Sequence, residues 1–417
     1  MTDCSLPDIT CPFCGLLCDD LRVAEGAGPL AFTAGACARA TRLFQVPAAG
    51  QARIGGRPVD AAQACAEAAR LLAAARRPLV GGLACDVSGQ RAAIAFAERL
   101  GGVLEHMNGR VQFRNFLALQ DGGWMTTTLS EVRNRADVIV LAGTDTSRFP
   151  RFFERLLAGE SQFGEPRRQV IALSSSPQTP LAGQGADLAI SCEPGRLGEL
   201  FAALRARLAG RAPAADPVAG VSASRLDALL ETLRAARYGV LVWNAAELDF
   251  PHADLTVQAM VDLVKDLNRD TRWSGLPLGG NDGDTCAAQV CTWQAGYPLR
   301  TAFTADGPHY DPIRFDGERL LARGEVDALV WIAAFDPGRA PPETGLPTIV
   351  LGRADMEFPR HPEVFIPVAV PGVQQAGFLH RMDGVVALPL AAPSPAQLPG
   401  VAEVLNTIRK ELDHAAA

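Results

Sequence analysis

Apolar residues in this chain gather in short runs, and between the runs they recur at every third or fourth position. PLVGGL (78–83), ADVIVLAG (136–143), QVIALSS (169–175) and DLAIS (187–191) are continuous runs of strand length, which predicts strands buried on both faces. AAQACAEAARLLAAA (61–75) and SGQRAAIAFAERLGG (88–102) show the recurrence of helices with one apolar face. Strands alternating with such helices predict an α/β fold with mostly parallel sheets. Residues 1–52 lack this alternation and read as a loop-rich module with short strands around LRVAE and LAFTA.

The alternation then repeats. GVLVWNAAEL (239–248) echoes PLVGGLACDV (78–87), and VDALVWIAAFDP (326–337) echoes ADVIVLAGTDTS (136–147). TIVLG (348–352) and FIPVAV (365–370) match VIALS (170–174) and LAISC (188–192). Order kept over these elements predicts two pseudosymmetric α/β domains, residues 53–215 and 216–393. The second is lengthened within the Gly/Asp/Thr-rich segment 274–316. Two such domains facing one another would form a cleft at strand carboxyl ends, where ligands of α/β proteins sit. Residues 394–417 read as a C-terminal linker and helix.

The cysteines supply the first chemistry. Cys11, Cys14 and Cys18 lie in CPFCGLLCDD, and Cys37 follows in GAC. Thiolates two to four residues apart converge on one metal when a tight turn brings their sulfurs together. A fourth completes a tetrahedral shell suited to structural zinc or a [4Fe–4S] cluster. The alternative is that small buried positions happen to be Cys, or that these cysteines pair as disulfides. The other six cysteines are scattered and give no disulfide framework.

Elsewhere chemistry is sparse. The histidines, His106, His252, His309, His361, His380 and His414, are dispersed without metal spacing. No nucleophile elbow, P-loop or GxGxxG follows a predicted strand. The strand-end turns AGTD (142–145) and AAFDP (333–337) are of a kind that holds nucleotide parts of cofactors, a weak signal alone. A net charge of −7 argues against a nucleic-acid partner. No apolar run approaches the roughly 18 residues of a membrane span. MTDCSLPDIT lacks the basic and apolar regions of a secretory signal, so a cytoplasmic location is expected.

Several segments taken together resemble the B subunit of formylmethanofuran dehydrogenase, a short member of the molybdopterin oxidoreductase superfamily. CPFCGLLCDDLRV and GACARATRLF resemble its cluster-binding opening. LALQDGGWMTTTLSEVRNRADVIVLAGTD, TWQAGYPLRTAF, LLARGEVDALVWIAAFDP and GFLHRMDGVVALPL resemble successive blocks in the family's order. The resemblance implies a molybdopterin-oxidoreductase-like fold. In active members it implies a [4Fe–4S] cluster and a tungsten or molybdenum bis-pterin that reduces carbon dioxide to formate. A partner amidohydrolase then attaches the formate to methanofuran.

This chain departs from that pattern where the metal would sit. The family's ligand is a Cys or selenocysteine followed by His, in a CHGP-type turn before the LALQ block. Those two positions hold Val111 and Gln112 here, with Phe113 and Arg114 in place of Gly-Pro. In PLGGNDGDT (277–285), Gly279 and Asn281 stand where the family has Arg and His. Valine cannot ligate a metal, and glutamine cannot shuttle protons near neutral pH.

The degenerate pattern resembles the B subunit of the bacterial formyltransferase/hydrolase complex. That complex moves a formyl group from formyl-tetrahydromethanopterin to a methanofuran-like carrier and hydrolyses it to formate. The resemblance implies three partners: the amidohydrolase-like A subunit, the formyltransferase and the glutamate-synthase-domain-like C subunit. The expectation is a structural subunit with no catalytic residue of its own and no molybdopterin or tungstopterin. Its cysteines would hold zinc, a [4Fe–4S] cluster or no ion, with zinc or a vacant site favoured because a cluster without a redox partner has no evident use. The rivals are a working tungsten or molybdenum dehydrogenase with an unusual ligand set, and an electron-transfer subunit using the cluster alone.

Overall fold

The computed structural model describes residues 8–24, 30–159, 168–175, 186–211 and 215–416. The chain begins with β1 (Arg22–Val23), β2 (Phe32–Ala34), α1 (Ala38–Leu43), β3 (Ala52–Ile54), β4 (Arg57–Val59) and α2 (Ala61–Ala73). There follow β5 (Pro78–Ala84), α3 (Val87–Leu100), β6 (Val103–Leu104), α4 (Gly109–Gly122), α5 (Leu129–Arg135), β7 (Val138–Ala142) and α6 (Phe152–Leu156). The middle holds β8 (Gln169–Ser174), β9 (Leu188–Ser191), α7 (Leu197–Leu208), α8 (Ala223–Ala235), β10 (Gly239–Asn244), α9 (Ala253–Leu267) and β11 (Trp273–Leu278). Next are α10 (Asp284–Ala295), β12 (Thr301–Thr304), β13 (Gly307–Tyr310), α11 (Gly317–Ala322), β14 (Ala328–Ala333) and β15 (Thr348–Gly352). β16 (Val364–Pro367), β17 (Gly377–His380), β18 (Ala387–Leu390) and α12 (Val401–Ala416) complete it.

Local chemistry fixes the element ends. Asp60 accepts from the Gln63 N–H while the Gln63 side chain takes the Asp60 N–H, a capping box that starts α2. Asp86 accepts from the Gly89 N–H at the start of α3, which ends at Gly101 in the left-handed conformation. All seven residues of β5 are buried, as its unbroken apolar run requires.

The chain forms two compact units, one of residues 1–109 with 280–417 and one of residues 110–279. Among the described residues, the second unit holds a parallel sheet in the order β11-β10-β7-β8-β9. Val140, Leu173 and Trp243 of that sheet pack in one core with Phe201 of α7 and Val261 of α9. The first unit holds the order β13-β12-β6-β5-β14-β15-β16-β3-β4, of which β6 to β16 are parallel.

The sequence repeat and the sheets correspond in an unexpected way. β5 and β10 are echoes, as are β7 and β14, β8 and β15, β9 and β16, and each pair takes the same rank in its own sheet. Yet β5 pairs with β14, and β10 with β7. Each repeat therefore gives its leading strands to one sheet and its trailing strands to the other. This corrects the expected division into 53–215 and 216–393, because both stretches contribute strands to both sheets. Periodicity shows which residues form a strand, whereas the strand's neighbour is chosen by contacts hundreds of residues away.

The outer segments also differ from the expectation of separate pieces. Residues 8–52 belong to the first unit, where the buried Arg353 guanidinium donates to the carbonyls of Leu43 and Gln45 at 2.8 and 2.9 Å. The C-terminal helix α12 packs against α2 and α3 in that same unit.

Candidate functional site

The cysteine segment is a closed loop. An Ile9–Leu21 bridge holds its ends, and the Cys11 N–H donates to the Cys18 carbonyl at 2.8 Å. Cys11, Cys14 and Cys18 are buried, and half-buried Cys37 stands at the start of α1, with no disulfide among the four. Burial pushes the Cys11 thiol well above its usual range, and the nearby Cys14, Cys18 and Cys37 sulfurs add to the rise. Among the described residues, no three His, Cys, Asp or Glu side chains close on a point that could hold a metal ion.

The segment of Gly280 and Asn281 crosses this loop. Gly280 adopts φ +78°, and a Cβ there would lie 2.6 Å from the Gly15 Cα. The Gly15 carbonyl accepts the Met382 N–H at 3.0 Å, so the GFLHRMDGV block also braces the loop. Asn281 accepts through Oδ1 from Arg39, two residues beyond Cys37, at 3.3 Å. Val111 and Gln112 lie in the first turn of α4, with Gln112 buried. With Gly279 they belong to the second unit, whereas Asn281 belongs to the first.

Around residues 281–284 lies a polar network that residue spacing gave no reason to assemble. His106 accepts the Asn108 N–H at Nδ1 over 2.9 Å, which leaves its proton on Nε2 to donate to the Asp282 carbonyl at 3.2 Å. Arg339 ion-pairs with the Asp282 carboxylate at 3.2 Å and donates to the Asn108 side-chain oxygen. The Asn108 amide donates to the Asn281 carbonyl and to Asp284 at 3.1 and 3.3 Å. Burial raises Asp284 to about 6 and lowers His106 to about 3. Beside them, burial raises Glu105 to about 7 against the opposing pull of Arg300, which donates to it at 2.7 Å.

These residues sit at a defined place in the sheet. Cys85 and Asp86 follow β5, Glu105 and His106 follow β6, and Asp336 and Arg339 follow β14. From β5 the sheet continues through β6, and from β14 it continues the other way through β15 and β16. The β5–β14 boundary is thus a topological switch point, where an open parallel sheet offers a crevice at its carboxyl edge. Gly283 lies over that edge: a Cβ there would be 3.1 Å from the Cys85 carbonyl and 3.3 Å from the Phe335 ring. The polar string EHMN after an apolar strand was the sequence signal that could have drawn attention here.

No model of a known protein family matches the chain. Individual relatives do. It is 34% identical over 371 residues to the Fhc B subunit of the formyltransferase/hydrolase complex of Methylorubrum extorquens, covering 86% of this chain and 96% of that one. It is 30% identical over 400 residues to the B subunit of the tungsten-containing formylmethanofuran dehydrogenase 2 of Methanocaldococcus jannaschii, covering 91% of each. The chain belongs to the family of formylmethanofuran dehydrogenase B subunits. The crystal structure of the FhcABCD complex from Methylorubrum extorquens with methylofuran supplies a solved family member. Its matching chain has a TM-score of 0.74 at 30% identity, covering 88% of this chain and 99% of that one. Named members of this family therefore include subunits of a tungsten enzyme and of a formyltransferase/hydrolase complex. Among the described residues no helix is long and apolar enough to cross a membrane.

Proposed function

We propose that this chain is the B subunit of a formyltransferase/hydrolase complex and serves it as a structural subunit in one-carbon oxidation to formate. What carries this reading is the match to the Fhc B subunit over nearly that relative's whole length, joined to the residues at positions 111 and 112. The fold is read as molybdopterin-oxidoreductase-like, and the location as cytoplasmic. The partners are the amidohydrolase-like A subunit, the formyltransferase and the glutamate-synthase-domain-like C subunit. Formyl transfer and hydrolysis belong to those partners.

The tungsten or molybdenum bis-pterin of active members does not fit the residues present. Val111 offers no donor atom, and the Asn281 side chain is bonded to Arg39 instead of facing a ligand as a His would. Residues 280–284 cover the carboxyl edge between β5 and β14 with protein. No reaction step is routed through the cofactor. Cys11, Cys14, Cys18 and Cys37 do suit zinc or a [4Fe–4S] cluster in donor chemistry, and rotation of their side chains would be needed to close a shell. A cluster there would supply electron transfer.

A working tungsten enzyme is favoured by the Methanocaldococcus jannaschii relative and opposed by Val111. Co-purification separates the readings. A tagged chain should bring down the three partner subunits without tungsten or molybdenum, and its deletion should abolish formyl hydrolysis by preventing assembly. Gln112→Ala should leave hydrolysis per assembled complex near the wild-type value. Stoichiometric tungstopterin, or a Gln112→Ala complex that assembles but does not turn over, would reject the structural reading.

A further inference from the structure

Asp282 has a carboxylate whose place the folding of its own segment does not explain. It is buried, and it holds φ +55°, a conformation that a non-glycine residue adopts at a cost. It does not cap α10, whose cap position is Gly283. The bond that closes this turn runs from the Gly280 N–H to Asp284 at 2.7 Å. The Asp282 carboxylate instead meets the guanidinium of Arg339, at the carboxyl edge between β5 and β14.

We propose that Asp282 is a built-in anion: its carboxylate fills from within an anion-binding place at this switch point, and removing it opens that place to a phosphate-bearing ligand. The location is the one where open parallel sheets take ligands. The donors are those of phosphate recognition, a guanidinium from Arg339 and a side-chain amide from Asn108, with the Arg39 guanidinium close by on Asn281. Arg39 and Asn108 donate to oxygen atoms of residues 281–284, and Arg339 ion-pairs with the Asp282 carboxylate. A free anion would meet these same groups in competition with the tethered carboxylate, whose effective concentration is high because the chain holds it there. This goes beyond the subunit reading, since it concerns a binding place within this chain whatever complex it joins.

The test uses the full chain as purified with its partners and inorganic pyrophosphate as the probe, followed by calorimetry. Asp282→Asn keeps the shape and tolerates the left-handed backbone, and Asp282→Gly removes both the carboxylate and the strain. Each should gain one pyrophosphate site per chain that binds at least about tenfold tighter than any binding to the wild type. Adding Arg339→Gln should remove the gain. The proposal is overturned if the folded variants gain nothing, if the gain survives Arg339→Gln, or if the wild type binds equally well. Failure of both variants to fold would overturn it too, because Asp282 would then be a structural ion-pair partner alone.

Discussion

Gly280 and Gly15 meet backbone to backbone, with space for a hydrogen and none for a methyl group: a Cβ on Gly280 would stand 2.6 Å from the Gly15 Cα. Gly280, Asn281 and the cysteine segment are therefore packed together. What happens at Gly280 is felt directly by the turn between Cys14 and Cys18.

Gly280→Ala should lower stability by about 2–4 kcal/mol, since it adds the left-handed backbone cost to a collision that only backbone movement can relieve. Gly55→Ala is the control, with φ +55° and nothing within 4 Å of its added Cβ. Thermal unfolding should show Gly280→Ala well below Gly55→Ala. Equal melting temperatures would mean that the loop yields freely at Gly15.

The buried ionisable groups predict opposed pH slopes. Glu105 and Asp284, raised by burial to about 7 and about 6 from 4.5 and 3.8, bind protons more tightly folded than unfolded. Their contribution is fully present below those ordinary values and is lost as pH rises through about 6 and 7. His106, lowered by burial from 6.5 to about 3, has the opposite sense, and its contribution is lost as pH falls from 6.5. His106→Asn removes the second slope, so the variant's stability should fall more steeply than the wild type's as pH rises from about 5 to 7. A denaturant midpoint that instead climbs over this range would contradict the assignment.

Zinc or iron that purifies with the chain should reside at the cysteine loop. Cys11→Ser and Cys14→Ser should abolish it, and Cys65→Ser, on α2, should leave it unchanged. Elemental analysis of the three variants decides the matter, and equal metal content in all of them would end the four-cysteine site.

Fragment design follows from the strand exchange. Residues 110–279 are continuous and contain every strand of their sheet, so this piece should be soluble and show cooperative thermal unfolding. Residues 53–215 and 216–393 each divide both sheets and should aggregate when expressed alone. A folded 53–215 fragment would show that β5 can exist without β14.

The elements were legible because burial writes itself locally. The predicted helices at 61–75 and 88–102 match α2 and α3 within two residues at each end, and PLVGGL lies within β5. Spacing showed a turn holding Cys11, Cys14 and Cys18, whereas among the described residues no three side chains close on a metal position; the family was legible from ordered blocks. Partner choice was not legible, because β5 and β10 carry similar patterns and only distant contacts decide which sheet each enters. The network around Asp282 was hidden for the same reason: His106, Asp282 and Arg339 are remote in sequence and give no short-range signal.

The exchanged strands also set a schedule for synthesis. Residues 110–279 can fold as they emerge, since their strands arrive together. β5, buried on every residue, must await β14, which leaves the ribosome about 250 residues later, on the order of 10–50 s at common elongation rates. For that interval an apolar strand has an open edge, the kind of surface that nascent-chain chaperones shield. The half of the molecule that carries the cysteine loop is therefore the last to close and the first to be at risk when translation stalls.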